Sequence, residues 1–134
     1  MSKSEPHIEK FMTREPRTIE DRSTIAEAQA LMKKLGIRHL PVMSSGKIIG
    51  VLSDRDIRTA RAMPGADLDK TLVRYFCHEN PYVVEPDDSL HDVAGEMALR
   101  HYGCAIIARN GKLVGIFTTV DACRTIAILL EQGL

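Results

Sequence analysis

The sequence predicts an α/β chain of two β-α-β-β-α repeats related by pseudo-twofold symmetry. Three observations carry this. Residues 46–53 (GKIIGVLS) and 111–118 (GKLVGIFT) are one segment written twice, 65 positions apart. The same offset pairs Pro16 with Pro81, Glu20 with Glu85, Thr24 with Ser89, Met32 with Met97, Val42 with Ile107 and Asp56 with Asp121, without a gap. Self-similarity at a fixed period marks a duplication. Second, the hydrophobic spacing inside each copy alternates between helix and strand periods in the same order. Third, hydrophobic residues are 44% of the chain while aromatics are 4% and Trp is absent, so the core has to be aliphatic.

In the first copy, Thr18-Ile19 is a short extended piece after Pro16. Thr24 opens a helix, with Glu27 three residues on in capping-box spacing. Ile25, Ala28, Leu31, Met32 and Leu35 follow at helical intervals, and Gly36 ends the run. His39 to Met43 reads as a strand, Ser44 to Lys47 as a hairpin turn and Ile48 to Leu52 as the returning strand. A second helix runs from Asp54 to Ala62 and stops at Met63-Pro64-Gly65. In the second copy Val83-Val84 is extended. Ser89 with Asp92 caps a helix running to about His101. Gly103 to Ala108 and Leu113 to Phe117 are strands around an Asn110-Gly111 turn. A last helix covers about Thr119 to Leu130. Leu68 to Phe76 is expected to be a helix bridging the copies. The boundaries are then a tail at 1–10, a first repeat at 11–63, a linker helix region at 64–76 and a second repeat at 77–134. Each repeat is too small to be stable alone.

Lys plus Arg and Asp plus Glu number 18 each, which speaks against a general nucleic-acid binder. No apolar run approaches the roughly 20 residues of a membrane helix, and the first ten residues lack a signal-peptide core. Cys77, Cys104 and Cys123 are odd in number and form no CxxC pair, which fits a reducing, cytoplasmic setting. No GxGxxG, P-loop or nucleophile signature occurs. Cys77-His78, with His91, His101, Cys104 and Cys123, has no ligand spacing typical of zinc.

The residues that recur resemble the CBS domain, named after cystathionine β-synthase and usually found in pairs. The first copy carries Met12-Thr13-Arg14-Glu15-Pro16, Arg38-His39-Leu40-Pro41-Val42 and Gly50-Val51-Leu52-Ser53-Asp54-Arg55-Asp56-Ile57. The second carries Pro81-Tyr82-Val83-Val84, Gly103-Cys104-Ala105-Ile106-Ile107 and Gly115-Ile116-Phe117-Thr118-Thr119-Val120-Asp121. No single one of these is specific; the doubled set at one offset is. The resemblance implies a regulatory module, not an enzyme. Such a module binds AMP, ADP, ATP or S-adenosylmethionine in clefts between the repeats, requires no cofactor and associates as a homodimer. The regulated target is not legible.

A nucleoside needs a carboxylate for the ribose diol, donors for phosphate and a dry slot for adenine. Asp56 and Asp121 match the family's ribose-binding Asp, and Ser53 and Thr118 its hydroxyl. By the family's geometry, Asp121 and Thr118 work with Thr13, Arg17, Thr18, Ile37 and Arg38. Asp56 and Ser53 work with His78, Tyr82, Val83 and Tyr102. Arg55, Arg58 and Arg124 are placed to reach a phosphate tail, or simply to face solvent. Each assignment has a plainer counterpart. Ser53 and Thr118 serve equally as helix caps, Asp56 and Asp121 as first-turn acids complementing the helix dipole, and Arg38 as a solvated strand-end charge. The copies also differ: Thr13, Arg38 and His39 become His78, Gly103 and Cys104. That difference favours the Asp121 cleft for a phosphorylated ligand. The other reading open to the sequence is an interaction or dimerisation protein with vestigial clefts, acting by docking to a partner protein.

Overall fold

The computed structural model describes residues 5–133. In chain order its elements are β1 (Thr13–Arg14), β2 (Ile19–Glu20), α1 (Ile25–Leu35), β3 (His39–Ser44), β4 (Lys47–Ser53), α2 (Asp54–Ala62), β5 (Val83–Val84), α3 (Leu90–Arg100), β6 (Cys104–Arg109), β7 (Lys112–Thr118) and α4 (Thr119–Glu131), with 3-10 turns at Ile8–Lys10 and Val73–Tyr75. They fall into two compact units. One is continuous, residues 17–81. The other is split, with residues 5–16 joining residues 82–133.

In the continuous unit the sheet order is β2-β3-β4, with β2 parallel and β4 antiparallel to β3. The capping box of α1 closes as its spacing predicts. The Glu27 backbone N–H donates to Thr24 Oγ1 at 3.1 Å, and the Thr24 N–H donates to Glu27 Oε1 at 2.9 Å. Gly36 ends the helix at φ 66°, a left-handed conformation glycine adopts without a Cβ penalty. Ser45 and Gly46 both have positive φ, as a tight turn between twisted strands requires. Ile25, Ala28, Leu40, Val42 and Leu52 are fully buried and form the aliphatic centre of the core.

The split unit repeats this plan. Its sheet order is β1-β7-β6-β5, with β5 parallel and β7 antiparallel to β6. The bulge between Val42 and Met43 in β3 returns between Ile107 and Ala108 in β6. Asn110 and Gly111 take the turn positions of Ser45 and Gly46. Helix α3 ends on His101 at φ 60°, where the first copy has Gly36. Phe117, Ile107, Ala105 and Ile8 are completely buried in its core.

The ends of the repeats correct two sequence expectations. The segment read as a tail contains Ile8, which has no exposed surface. The segment read as a linker helix is instead a run of turns followed by the 3-10 turn, and Val73 there is equally buried. The two segments are copies of each other at the 65-residue offset, and each docks onto the body of the other repeat. Ile8 N–H donates to Asp88 O at 2.8 Å, and Val73 N–H donates to Ser23 O at 2.8 Å. Thr13 pairs with Ile116 on β7, and His78 pairs with Val51 on β4. An edge strand left open exposes unpaired backbone groups, and these short segments cover that edge.

The covered edge explains two glycines. A Cβ at Gly50 would lie 2.5 Å from the His78 carbonyl oxygen, and one at Gly115 would collide with the flexible Met12 side chain. Backbone cannot swing aside as a methionine can. Gly50→Ala is therefore expected to destabilise the protein by about 1–3 kcal/mol, and Gly115→Ala by less. Urea unfolding of both variants checks this order, and equal losses would contradict it.

Candidate functional site

The repeated Ser/Thr-x-x-Asp segments sit where β4 runs into α2 and β7 into α4. Chain direction dictates the geometry: the strand ends on the hydroxyl residue, which becomes the N-cap, and the aspartate falls at the third helical position. In the continuous unit, Ser53 N–H and Oγ donate to Asp56 Oδ2 at 2.8 and 3.0 Å, and the Asp56 N–H donates back to Ser53 Oγ at 3.2 Å. In the split unit, Thr118 N–H and Oγ1 donate to Asp121 Oδ2 at 2.9 and 3.1 Å, and the Asp121 N–H donates to Thr118 Oγ1 at 3.2 Å. Helix capping is thus fully realised at both positions, whatever else these residues do.

The second oxygen distinguishes the two. Asp121 Oδ1 accepts from Thr13 Oγ1 at 2.9 Å and from Arg124 Nη1 at 2.6 Å. An ionised carboxylate offers about four lone-pair positions, and all four are filled here. The residue is only 3% exposed. Asp56 is half-buried, and among the described residues its Oδ1 accepts no hydrogen bond. The repeat accounts for the contrast. The counterpart of Thr13 is His78, exposed, and that of Arg124 is Thr59, whose hydroxyl donates to Arg55 O at 3.1 Å.

Around Asp56, His39 stands opposite Ser53 across β3 and β4. Burial holds its imidazole pKa below the usual value near 6.5; Asp56 and Asp54 pull it up and Arg38 pulls it down. Arg38 itself is exposed, while its carbonyl accepts from the Asp54 N–H at 2.9 Å and so closes the start of α2. Arg17 is exposed, and Thr18 and Ile37 are half-buried in the same unit. Around Asp121, Cys104 takes the place of His39, and burial pushes its thiol pKa up to about 12. The Tyr82 and Tyr102 rings lie 5.2 Å apart between centroids, tilted by 33°, and Val83 is exposed beside Tyr82. Of the sequence-derived set, the structure brings Thr13, Thr118 and Asp121 into one bonded cluster and Ser53 and Asp56 into another.

The sequence reading did not single out the Arg124–Asp121 contact; the i,i+3 helical spacing was its available signal. It also missed an open hollow of about 420 Å³ in the continuous unit, lined by Asp21, Ile49, Arg74, Tyr75, Cys77 and Glu79. There Arg74 Nη2 donates to the buried Asp21 carboxylate at 2.8 Å. Neither residue recurs at the repeat offset, where Glu9 and Pro86 stand, so duplication gave no hint of it. Glu5, His91 and Asp92 have ligand-type atoms within 4.8 Å of one another on the surface. Among the described residues no helix is long and apolar enough to cross a membrane.

The CBS domain family model matches residues 8–62 and 73–128, beginning each time at the docking segment. The chain superposes on the crystal structure of a putative acetoin utilization protein from Vibrio cholerae with a TM-score of 0.87 and 30% identity, covering 95% of this chain and 94% of that one. It is similar in fold to the CBS domain pair of protein MJ0100 in complex with 5-methylthioadenosine and S-adenosyl-L-methionine, at TM-score 0.83 and 23% identity over 92% and 97% of the two chains. It is also similar in fold to CBSX2 in complex with AMP, at TM-score 0.80 and 21% identity over 93% and 98%. Among curated relatives, inosine-5'-monophosphate dehydrogenase of Korarchaeum cryptofilum is 26% identical over 122 residues; the match takes in 90% of this chain and 24% of the enzyme. The chain thus spans about a quarter of that relative's length.

The lowered pKa of His39 has a consequence for stability. The folded state binds the proton more weakly than the unfolded state, so stability is intact above the unfolded pKa and is lost as pH falls through the folded one. Acidification below about pH 6.5 should therefore lower the melting temperature. The His39→Asn variant should flatten that part of the profile. A wild-type profile already flat between pH 7 and pH 5 would contradict the assignment.

Proposed function

We propose, on the premise that this chain belongs to the CBS domain family, that it is a regulatory module binding an adenosine-containing ligand. The observation that carries the proposal is the doubled constellation at the starts of α2 and α4. A hydroxyl and a carboxylate sit three residues apart at a helix N-terminus, where the dipole favours an anion. At Asp56 a half-buried carboxylate also keeps one oxygen open, which suits the two hydroxyls of a ribose. The adenosyl ligands of MJ0100 and CBSX2 support this choice of ligand class. AMP, ADP, ATP and S-adenosylmethionine are the candidates, bound as ligands and not as cofactors.

The site residues in this reading are Ser53 and Asp56 in one unit, and Thr13, Thr118 and Asp121 in the other. Arg17, Thr18, Ile37, Arg38, Tyr82, Val83 and Tyr102 supply walls and phosphate contacts. The module acts by sensing, not by catalysis. Burial keeps the Cys104 thiol protonated at neutral pH, so it is not a ready nucleophile. Three free cysteines suit a cytoplasmic setting. A second reading has one observation in its favour. The filled acceptor positions of Asp121 are what a cleft given over to structure would look like, and the chain would then act by docking to a partner protein.

Calorimetric titration with adenosine, AMP, ATP and S-adenosylmethionine separates the readings. Saturable binding is expected, and Asp56→Ala and Asp121→Ala should each weaken it at their own site by roughly 10- to 150-fold, the worth of hydrogen bonds to a charged group. No heat with any of the four ligands would leave the docking reading standing alone.

The same reading includes assembly as a homodimer through α4. Val120, Ile126 and Leu130 are 62, 57 and 61% exposed there, more apolar surface on one helix than a monomer gains from. Light scattering at micromolar concentration should give twice the chain mass, and Ile126→Glu should halve it. A wild-type monomer would remove this part of the proposal.

A further inference from the structure

We infer that Arg124 and Thr13 form a latch over Asp121 that makes this site select ligands with an anionic tail, whereas the Asp56 site lacks the latch and does not select. The inference rests on the adenosyl-binding reading above and adds to it a rule of ligand choice. It starts from the occupied lone pairs. Thr118 takes both positions on Asp121 Oδ2, and Thr13 and Arg124 take both on Oδ1. A ribose diol brings two O–H donors and can reach this carboxylate only by displacing something already there.

The Thr118 contacts cannot yield without opening the capping box of α4, because the Thr118 N–H would lose its acceptor. The Oδ1 partners can. Thr13 is exposed, and its hydroxyl can turn to water. Arg124 has 59% of its side chain exposed, and among the described residues Asp121 is its one ion-pair partner. Displacing its guanidinium breaks an ion pair to a carboxylate that is 4% exposed. An uncharged nucleoside replaces that pair with hydroxyl donors and leaves the guanidinium to solvent. A nucleotide carries an anion a few bonds from the same ribose, so the freed guanidinium gains a new partner that a planar fork grips well. The exchange is balanced for AMP and unbalanced for adenosine.

At the other site the exchange does not arise. Thr59 stands where Arg124 would be, and it is tied to Arg55 O. His78 stands where Thr13 would be and is exposed. Asp56 Oδ1 is open to a diol without any displacement among the described residues.

The test isolates each site and reads the ratio of AMP to adenosine affinity by calorimetry. In Asp56→Ala, which leaves the Asp121 site, AMP should bind at least about tenfold tighter than adenosine. Adding Arg124→Met should bring the two ligands to within about threefold, chiefly by tightening adenosine, which then has no ion pair to break, while AMP changes little. Arg124→Lys should keep part of the preference, since it keeps the charge and loses the fork. In Asp121→Ala, which leaves the Asp56 site, Arg124→Met should change neither affinity. Arg124 is more than half exposed, so circular dichroism should report an unchanged fold in every Arg124 variant. An unchanged ratio in Arg124→Met, with AMP still bound, overturns the latch and leaves the adenosyl reading intact. Loss of all binding in Asp56→Ala also overturns it, since the Asp121 site would then be closed. If wild type binds neither ligand, the latch and the functional reading fall together.

Discussion

The exchange of short segments between repeats is the constraint on which the rest of this structure depends. Each repeat body ends in a strand, β4 or β7, whose outer edge would otherwise present unpaired amides and carbonyls. Residues 73–78 cover one edge and residues 8–14 the other. Each covering segment begins with a fully buried aliphatic residue, Val73 or Ile8, so apolar burial and backbone pairing act on the same few residues. The close backbone approach then requires glycine at Gly50 and disfavours a side chain at Gly115. One pairing thus fixes the register of the edge, the identity of Gly50 and the division of the chain into a continuous and a split unit.

The same pairing positions part of the candidate site. Thr13 reaches Asp121 because β1 is held antiparallel to β7, with Thr13 opposite Ile116. Its counterpart His78 makes the equivalent backbone pairing with Val51 but carries no hydroxyl to offer Asp56. Backbone geometry is conserved across the duplication while side-chain chemistry has diverged. That is what one expects where stability constrains the main chain and ligand choice constrains the side chains. Two otherwise matching carboxylates are left in different states, one with its acceptors filled and one with an oxygen open.

How much of this the sequence revealed follows from the range of each signal. Helix α1, its capping box and its Gly36 terminus are set by residues within four positions of each other, and all were legible. So were both hairpin turns and the starts of α2 and α4. The docking segments were not, because their partners lie far along the chain and no local period marks a three-residue 3-10 turn. The offset did in fact extend to them, through Ile8 with Val73 and Phe11 with Phe76, but two pairs separated by polar residues carry little weight without the bulk of the repeat. For the site, Ser53, Asp56, Thr118 and Asp121 could be read from the pattern alone. What could not be read was occupancy: whether a carboxylate has lone pairs to spare depends on Thr13, 108 positions away, and on the rotamer of Arg124.

The two copies differ around their carboxylates without differing in fold. Changing the carboxylate itself would break the reciprocal half of a capping box and leave the Ser53 or Thr118 N–H without its acceptor, so Asp56 and Asp121 are poor places to alter specificity. A residue one helical turn further on carries no such cost, because it is solvated and makes no capping bond. Arg124 and Thr59 occupy that position in the two copies, and the sequence differs there while the capping pair stays the same in kind. Divergence at the turn behind the cap therefore changes the surroundings of each carboxylate without touching what holds each copy together. The plain structural role of the aspartates and their proposed role toward ligand are in this sense one arrangement: the capping box fixes the carboxylate in place, and the neighbours at Oδ1 set which of its acceptor positions are filled.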